Sequence, residues 1–362
     1  MHRVYLQKLH LENYRNFQVL DIKSNNNPII LIGANGVGKT NILEAISLLS
    51  PGRGIRAAKL EDITRLGEKC WTTSVLLQSK VGIAEICSYF TIDNNKRCTE
   101  FNGTRIANSE LSAFLNILWL TPQMEGIFLA SASERRKFLD RIVYNFYNNH
   151  ASKINKYEYC MQERAKILQH NIIDLQWLQI VEVKMAELSI EIAANRVNVL
   201  TYLQTAINEL DHAFPKAILA INGAIELQLL SKTPHNMTEY IQYELKARRT
   251  QDKLSRRTTF GAHRIDLIVK HAKNNMPAQF CSTGEQKAML ITLLLAQVIS
   301  VIKYTSVAPL LLLDEIFVHL DYIRKQDVIN FLIASELQMW ITATDLNGIE
   351  ALEQDSELVS LT

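Results

Sequence analysis

The sequence predicts an α/β fold carrying a helical second lobe, and three patterns support that expectation. An apolar run at residues 28–32 passes through a glycine loop into a helix-like segment. The run Leu310-Leu311-Leu312-Leu313 ends in Asp314 and Glu315. Residues 134 to about 214 repeat at helical period, nearly free of glycine and proline until Pro215. A chain of 362 residues, 48% of them apolar, has ample core for one elaborated domain or two small ones.

In chain order, the first hundred residues read as short strands at 4–11, 19–22, 28–32, 72–78, 83–91 and 97–101. Asp93-Asn94-Asn95 reads as a hairpin turn between the last two. The third strand leads into Gly33-Ala34-Asn35-Gly36-Val37-Gly38-Lys39-Thr40, which fits the phosphate-binding pattern G-x-x-x-x-G-K-[ST] without a mismatch, and Asn41 continues into the helix. Glycines let backbone N–H groups close around phosphate oxygens, and the helix N-terminus adds positive partial charge. In such a loop Lys39 reaches the β- and γ-phosphates of ATP, and the Thr40 hydroxyl ligates Mg2+. A glycine turn with a chance lysine is the competing explanation; the strand before it and the helix behind it count against that. Arg53 and Arg56, just beyond the helix, suit adenine stacking, a DNA contact or plain solvation.

From about Ser131 the pattern turns helical. Ser131 or Ser133 caps a helix with Glu134 in its first turn, which puts Arg135 and Arg136 at an end where the macrodipole disfavours cations. Functional and packing roles for these two arginines both stay open. Two long helices, 152–170 and 175–212, are expected to pack as an antiparallel pair, and strand character resumes near Ile218. Residues 246–257 carry six basic residues and one acid, with no aromatic among them. Lys246, Arg248, Arg249, Arg256 and Arg257 are therefore candidates for contacts to a duplex backbone rather than to bases; an exposed helix face is the alternative.

Ser282 and Gly284 stand where another helix begins, a second place for an anion. Asp314, at the end of an apolar strand, is placed to hold Mg2+, and Glu315 to orient or deprotonate an attacking water. A strand followed by an acidic helix cap explains a solitary Leu-Leu-Asp-Glu, but less well one that accompanies a phosphate loop.

Composition excludes several classes. The formal net charge is only +2, so nucleic-acid binding needs a local patch. The five cysteines (Cys70, Cys87, Cys98, Cys160, Cys281) are scattered and never spaced C-x-x-C, which argues for a reducing cytoplasmic setting and against structural zinc. No window reads as a membrane span, and Met1-His2-Arg3-Val4-Tyr5-Leu6 lacks a signal-peptide apolar region.

The segment Cys281-Ser282-Thr283-Gly284-Glu285 resembles the Leu-Ser-Gly-Gly-Gln signature of ABC-type ATPases, with serine and the second glycine matching and Thr283 replacing the first glycine. Essentially the whole chain resembles the RecF family of such ATPases. Leu9-His10-Leu11-Glu12-Asn13-Tyr14-Arg15-Asn16-Phe17 is similar to its opening. Pro122 with Ser133-Glu134-Arg135-Arg136-Lys137-Phe138-Leu139-Asp140 is similar to its Pro-x-x-Arg-Arg-x-Phe-Leu-Asp signature. Gly261-Ala262-His263-Arg264-Ile265-Asp266-Leu267 and Leu313-Asp314-Glu315-Ile316-Phe317-Val318-His319-Leu320-Asp321 match two further runs in the correct order. Ala262 and Val318 depart from the family pattern, and Ile341-Thr342-Ala343-Thr344-Asp345 has no switch histidine, leaving Thr344 or Asp345 as weak sensors of the γ-phosphate.

The resemblance implies an ABC-type head, a phosphate-loop mixed sheet with an antiparallel β subdomain, formed by residues 1–130 with 258–362, and a helical lobe at 131–257. It implies Gln123 as a polar metal contact. Among the histidines His263 alone sits in a motif, and it reads as a structural hydrogen-bonding residue. The resemblance further implies an ATP-dependent homodimer in which Ser282 and Gly284 meet the other copy's nucleotide. The expected activity is weak, DNA-stimulated ATP hydrolysis in recombinational repair, replication and SOS induction at gapped or junction DNA, with RecO- and RecR-type partners and no membrane. The alternatives are a stand-alone ABC-type ATPase subunit of a metabolic or transport complex, and a degenerate binder that uses nucleotide only for structure.

Overall fold

A computed structural model of the chain describes residues 3–79, 82–210, 214–229 and 234–362. The strands, in order, are β1 (Tyr5–Tyr14), β2 (Phe17–Lys23), β3 (Ile29–Ile32), β4 (Cys70–Ser79), β5 (Gly82–Thr91), β6 (Lys96–Phe101), β7 (Thr104–Ile106), β8 (Ile117–Leu120), β9 (Ala217–Gly223), β10 (Ile265–His271), β11 (Leu310–Asp314), β12 (Met339–Ala343) and β13 (Glu357–Ser360). The helices are α1 (Lys39–Ser47), α2 (Leu60–Ile63), α3 (Ala132–Tyr144), α4 (His150–Gln169), α5 (Leu175–Glu209), α6 (Ala224–Leu229), α7 (Pro234–Ala247), α8 (Arg249–Ser255), α9 (Thr283–Thr305), α10 (Tyr322–Ser335) and α11 (Glu350–Glu353). The α5 boundary expected at His212 lies outside the described residues, as do Met1 and His2.

The chain folds as two units. The first comprises Met1–Gly126, Ala206–Lys216 and Ser282–Thr362, and the second Ile127–Thr205 and Ala217–Cys281. Residues 258–281 thus fall in the second unit rather than with the phosphate loop, because β10 pairs antiparallel with β9 from Ile265↔Gly223 to His271↔Ala217. Residues 206–216, expected in the helical lobe, fall in the first unit.

The first unit contains two sheets. One has the order β2-β1-β4-β5-β6-β7 with antiparallel neighbours; the other has the order β13-β3-β12-β11-β8 with parallel neighbours. In β1 a register shift between Leu6 and Lys8 resets the alternation, so Leu6, Leu9 and Leu11 all face inward. They share one core with Trp71, Phe90, Ile42, Leu312 and Trp340, so that core extends from the antiparallel sheet through α1 to the parallel strands. Strands β8, β12 and β13 went unrecognised in the sequence because runs this short show no period, and unlike β3 and β11 no glycine loop or acid pair at their ends marked them. Helix α9 corrects the expectation that no segment is apolar enough to span a bilayer. An 18-residue window of it reaches a mean hydropathy of 1.8, yet 72% of that window is buried within the protein, which makes it a core helix.

In the second unit α4 and α5 pair antiparallel, as expected: Lys153 meets Glu191 while Arg164 meets Glu182, so rising numbers on one helix face falling numbers on the other. Tyr157, Leu168, Leu178, Met185 and Ile192 form their shared core. Two buried ionic clusters cross it. Arg164 binds Glu182 (3.0 Å), Asp252 (2.6 Å) and the Leu245 carbonyl (2.8 Å). Arg196 binds both Asp140 oxygens (2.7 and 2.8 Å) and the Ala262 carbonyl (2.6 Å). Burial pushes the Asp140 carboxyl up, but Arg196 and His150 hold it down to about 2.

Candidate active site

Strand β3 lies between β13 and β12 and delivers the loop 33–38 to the C-terminal edge of the parallel sheet, where open α/β folds bind ligands. Gly38 caps α1 at φ 110°, a left-handed conformation suited to glycine. Lys39 is 5% exposed, and its ammonium donates to the Gly33 carbonyl at 2.6 Å and the Ala34 carbonyl at 3.0 Å. The β1–β2 turn braces the loop from outside. Asn16 donates to the Val37 carbonyl at 2.9 Å, Asn41 donates to Asn16 at 2.7 Å, and Arg56 donates to Asn41 at 2.6 Å. Beneath them Arg15 forks onto Glu44, buried on α1, at 2.7 and 2.8 Å.

Strand β11, every residue of it buried, brings Asp314 to the same edge. The Thr40 hydroxyl donates to its carboxylate at 3.0 and 3.2 Å, across 274 positions of sequence. Thr342, beside Asp314 in the β11–β12 register, donates to the same carboxylate at 2.8 Å and accepts the Glu315 backbone N–H at 3.0 Å. Glu315 adopts φ 50°, an uncommon conformation for a non-glycine residue and one that recurs at functional sites. With Gly36, Gly38, Lys39, Thr40 and Arg56 it lines a cavity of about 190 Å3. A neighbouring cavity of about 350 Å3 is lined by Asn35, Glu315, Phe317, Thr344 and Asp345. A hydroxyl beside a carboxylate is an all-oxygen donor set, suited to a hard cation that keeps several waters and takes its remaining ligands from phosphates. The residues present therefore fit Mg2+, and Thr40 and Asp314 would hold it.

Other predicted residues do not line these two cavities. Gln123 is exposed on a 3-10 turn, Pro122–Gly126, just after β8. In the same turn Glu125 pairs at 3.0 Å with Lys287, which also donates to the Val318 carbonyl at 2.6 Å. That link had no signal in the sequence. Ser282 and Gly284 are exposed at the start of α9 and do not line the phosphate-loop cavity. Ser282 accepts the Glu285 N–H at 3.3 Å while Glu285 receives the Ser282 N–H at 2.9 Å, a reciprocal cap.

In the second unit, Arg135 forks onto Asp266 at 2.6 and 2.7 Å, and Arg136 donates to the His263 carbonyl at 2.5 Å, so both arginines brace α3 against the His263 segment. The basic run is less free than its composition implied. Arg248 binds Glu244 at 2.8 Å and Arg249 binds Glu182 at 2.5 Å, whereas Lys246, Arg256 and Arg257 are exposed. Among the described residues no cluster of three or more His, Cys, Asp or Glu forms an all-protein metal cage.

Residues 5–361 match the RecF/RecN/SMC N-terminal domain. The DNA replication and repair protein RecF of Rickettsia prowazekii (strain Madrid E) is 52% identical over 361 residues, covering 100% of both chains. That of Rickettsia felis (strain ATCC VR-1525 / URRWXCal2) is 53% identical, covering 100% of this chain and 99% of the relative. The solved structure of the recombination mediator protein RecF-ATP in the RecFOR pathway superposes with a TM-score of 0.87 at 23% identity, covering 97% of this chain and 96% of that one. An Smc head domain from Pyrococcus furiosus, with an extended coiled coil and bound to the C-terminal domain of ScpA, gives 0.56 at 17% identity, covering 99% and 94%. The fold is therefore that of RecF and Smc heads, and the chain belongs to the RecF family.

Proposed function

We propose that the chain is an ATP-driven dimeric clamp on DNA that acts in replication and recombinational repair by helping to load recombinase at single-strand gaps. The observation that carries this reading is the meeting of Thr40, Asp314 and Glu315 at one sheet edge. The relatives' names favour replication and repair over a metabolic or transport role.

Backbone N–H groups of the loop, with Lys39 and Asn41, bind the phosphates of ATP. When bound, Mg2+ neutralises charge on the phosphate oxygens and aligns the transferred group. Glu315, its backbone fixed by Thr342, accepts a proton from the attacking water. Ser282 and Gly284 of a second copy complete the site from the far side, so ATP favours the dimer because only the dimer makes both sets of contacts. Loss of the γ-phosphate removes those contacts and opens the clamp. Hydrolysis is slow and stimulated by DNA, Gln123 approaches the metal in the closed state, and RecO- and RecR-type proteins are the partners in the cytoplasm.

Sedimentation of Glu315→Gln with and without ATP and Mg2+ tests this mechanism. A monomer that becomes a dimer only with nucleotide is expected. A chain that binds ATP yet stays monomeric, with DNA present as well as without it, would remove the two-copy site.

A further inference from the structure

Beyond the nucleotide site, four cations of the first unit line one surface cavity of about 460 Å3: Arg53, Lys59, Lys96 and Arg97, with Glu61 as the acid among them. The side chains of Arg53, Lys59 and Lys96 are exposed, and among the described residues none of the four reaches a carboxylate. Arg97 stands out. It is 6% exposed on β6 and donates to the Leu48 carbonyl at 3.1 Å. Burial lowers its pKa from 12.5 to about 10, with no carboxylate beside it and only the Tyr14 hydroxyl pulling the other way. Arg164 and Arg196, also buried, each meet carboxylates within 3 Å; Arg141 is the other arginine whose pKa burial lowers strongly, to about 9. A buried charge without a counter-ion is strongly unfavourable, so a counter-charge from outside the chain is the natural complement to Arg97. Asn108 also lines the cavity; its carbonyl oxygen accepts from Thr99 at 2.6 Å, which leaves the amide N–H groups for a further acceptor.

We propose that this cavity binds a backbone phosphate of a nucleic-acid strand, with Arg97 as the buried anchor and Arg53, Lys59 and Lys96 as the rim. The proposal rests on the reading of the chain as DNA-acting and moves the contact away from residues 246–257, where Arg248 and Arg249 already meet carboxylates. No aromatic side chain lines the cavity, so it offers a base no stacking surface and suits a sequence-independent backbone contact rather than a free nucleotide.

The test is anisotropy titration of a labelled DNA duplex with the full chain over a salt series. The double variant Lys59→Ala/Lys96→Ala is expected to bind about tenfold more weakly, with a slope of log K against log salt shallower by about 2. Its melting temperature should match the wild type, since both side chains are exposed. Arg97→Met is expected to lose affinity similarly while melting no lower than the wild type, because an uncompensated buried charge has gone. Unchanged affinity and slope in the lysine variant overturn the proposal and leave the DNA reading standing; a wild-type chain that binds no duplex overturns both. Pyrophosphate bound by the wild type and lost by the variants, at constant DNA affinity, also overturns it and gives the cavity to a free phosphate compound.

Discussion

One hydroxyl, that of Thr342, donates to Asp314 and accepts from the Glu315 backbone, so a single side chain fixes both acids of the site. Thr342→Val keeps the shape and removes both bonds. Single-turnover hydrolysis should slow about tenfold, the size of one lost positioning hydrogen bond, with ATP binding measured separately and little changed. An unaltered rate would mean that Glu315 is held by other contacts. That Lys39, Thr40, Asp314 and Glu315 would meet was legible in sequence because each belongs to a contiguous motif. Thr342 was not, because its role comes from lying opposite Asp314 in the β11–β12 register, and a lone threonine in a strand carries no mark of its neighbour. The ion pair of Arg249 was hidden for a related reason: its carboxylate, Glu182, lies 67 positions away on another helix.

Among the elements, α4 and α5 and the hairpin were legible as periods and turn residues, whereas the polar contacts that tie the helices together were not. His263 shows what those contacts do. Its Nδ1 meets the Tyr157 hydroxyl and its Nε2 the Thr258 carbonyl, both at 2.8 Å, so the neutral ring has a hydrogen-bond partner on each side. Burial first, then Arg264 and Arg136, lowers its pKa to about 4, against the opposing pull of the Thr258 carbonyl and Asp252. Between pH 6.5 and 4 the unfolded chain takes up a proton that the folded chain refuses. The stability from the neutral ring is thus complete above pH 6.5 and lost as pH falls to about 4, roughly 3 kcal/mol at 1.4 kcal/mol per unit. His150, also lowered by burial, adds in the same direction, while Asp140 loses its contribution only below about 4. Urea unfolding at pH 7.5 and 4.5 should show the fall, and His263→Gln should flatten it. A wild-type stability that is level across that range would show the ring charged in the fold.

For the molecule as a whole, the α/β class and the family were legible, but the division of the chain was not. Unit boundaries depend on strand pairings such as β9 with β10, which no local composition announces. The first unit draws its parallel sheet from distant segments: β3 is flanked by β12 and β13, and Gln338 bonds both the Leu6 N–H (2.8 Å) and the Leu6 carbonyl (2.9 Å). Leu361 donates to the Ile32 carbonyl at 2.8 Å, and its own carbonyl would stand 2.5 Å from a Cβ placed on Gly33. The root of the phosphate loop is therefore packed by the far end of the sequence. A chain shortened to residue 355 should bind ATP about tenfold or more weakly by equilibrium titration; full affinity would show β13 to be dispensable.

The placement of β3 between two late strands also sets a timetable on the ribosome. At ordinary elongation rates the phosphate loop leaves the ribosome roughly half a minute before β13 is made. During that interval its strand lacks both neighbours, and its apolar residues are a surface for chaperones rather than a frame for nucleotide. Prematurely released products would carry an intact motif on an unbraced loop and are expected to take up ATP only weakly, which would keep them out of the proposed clamp.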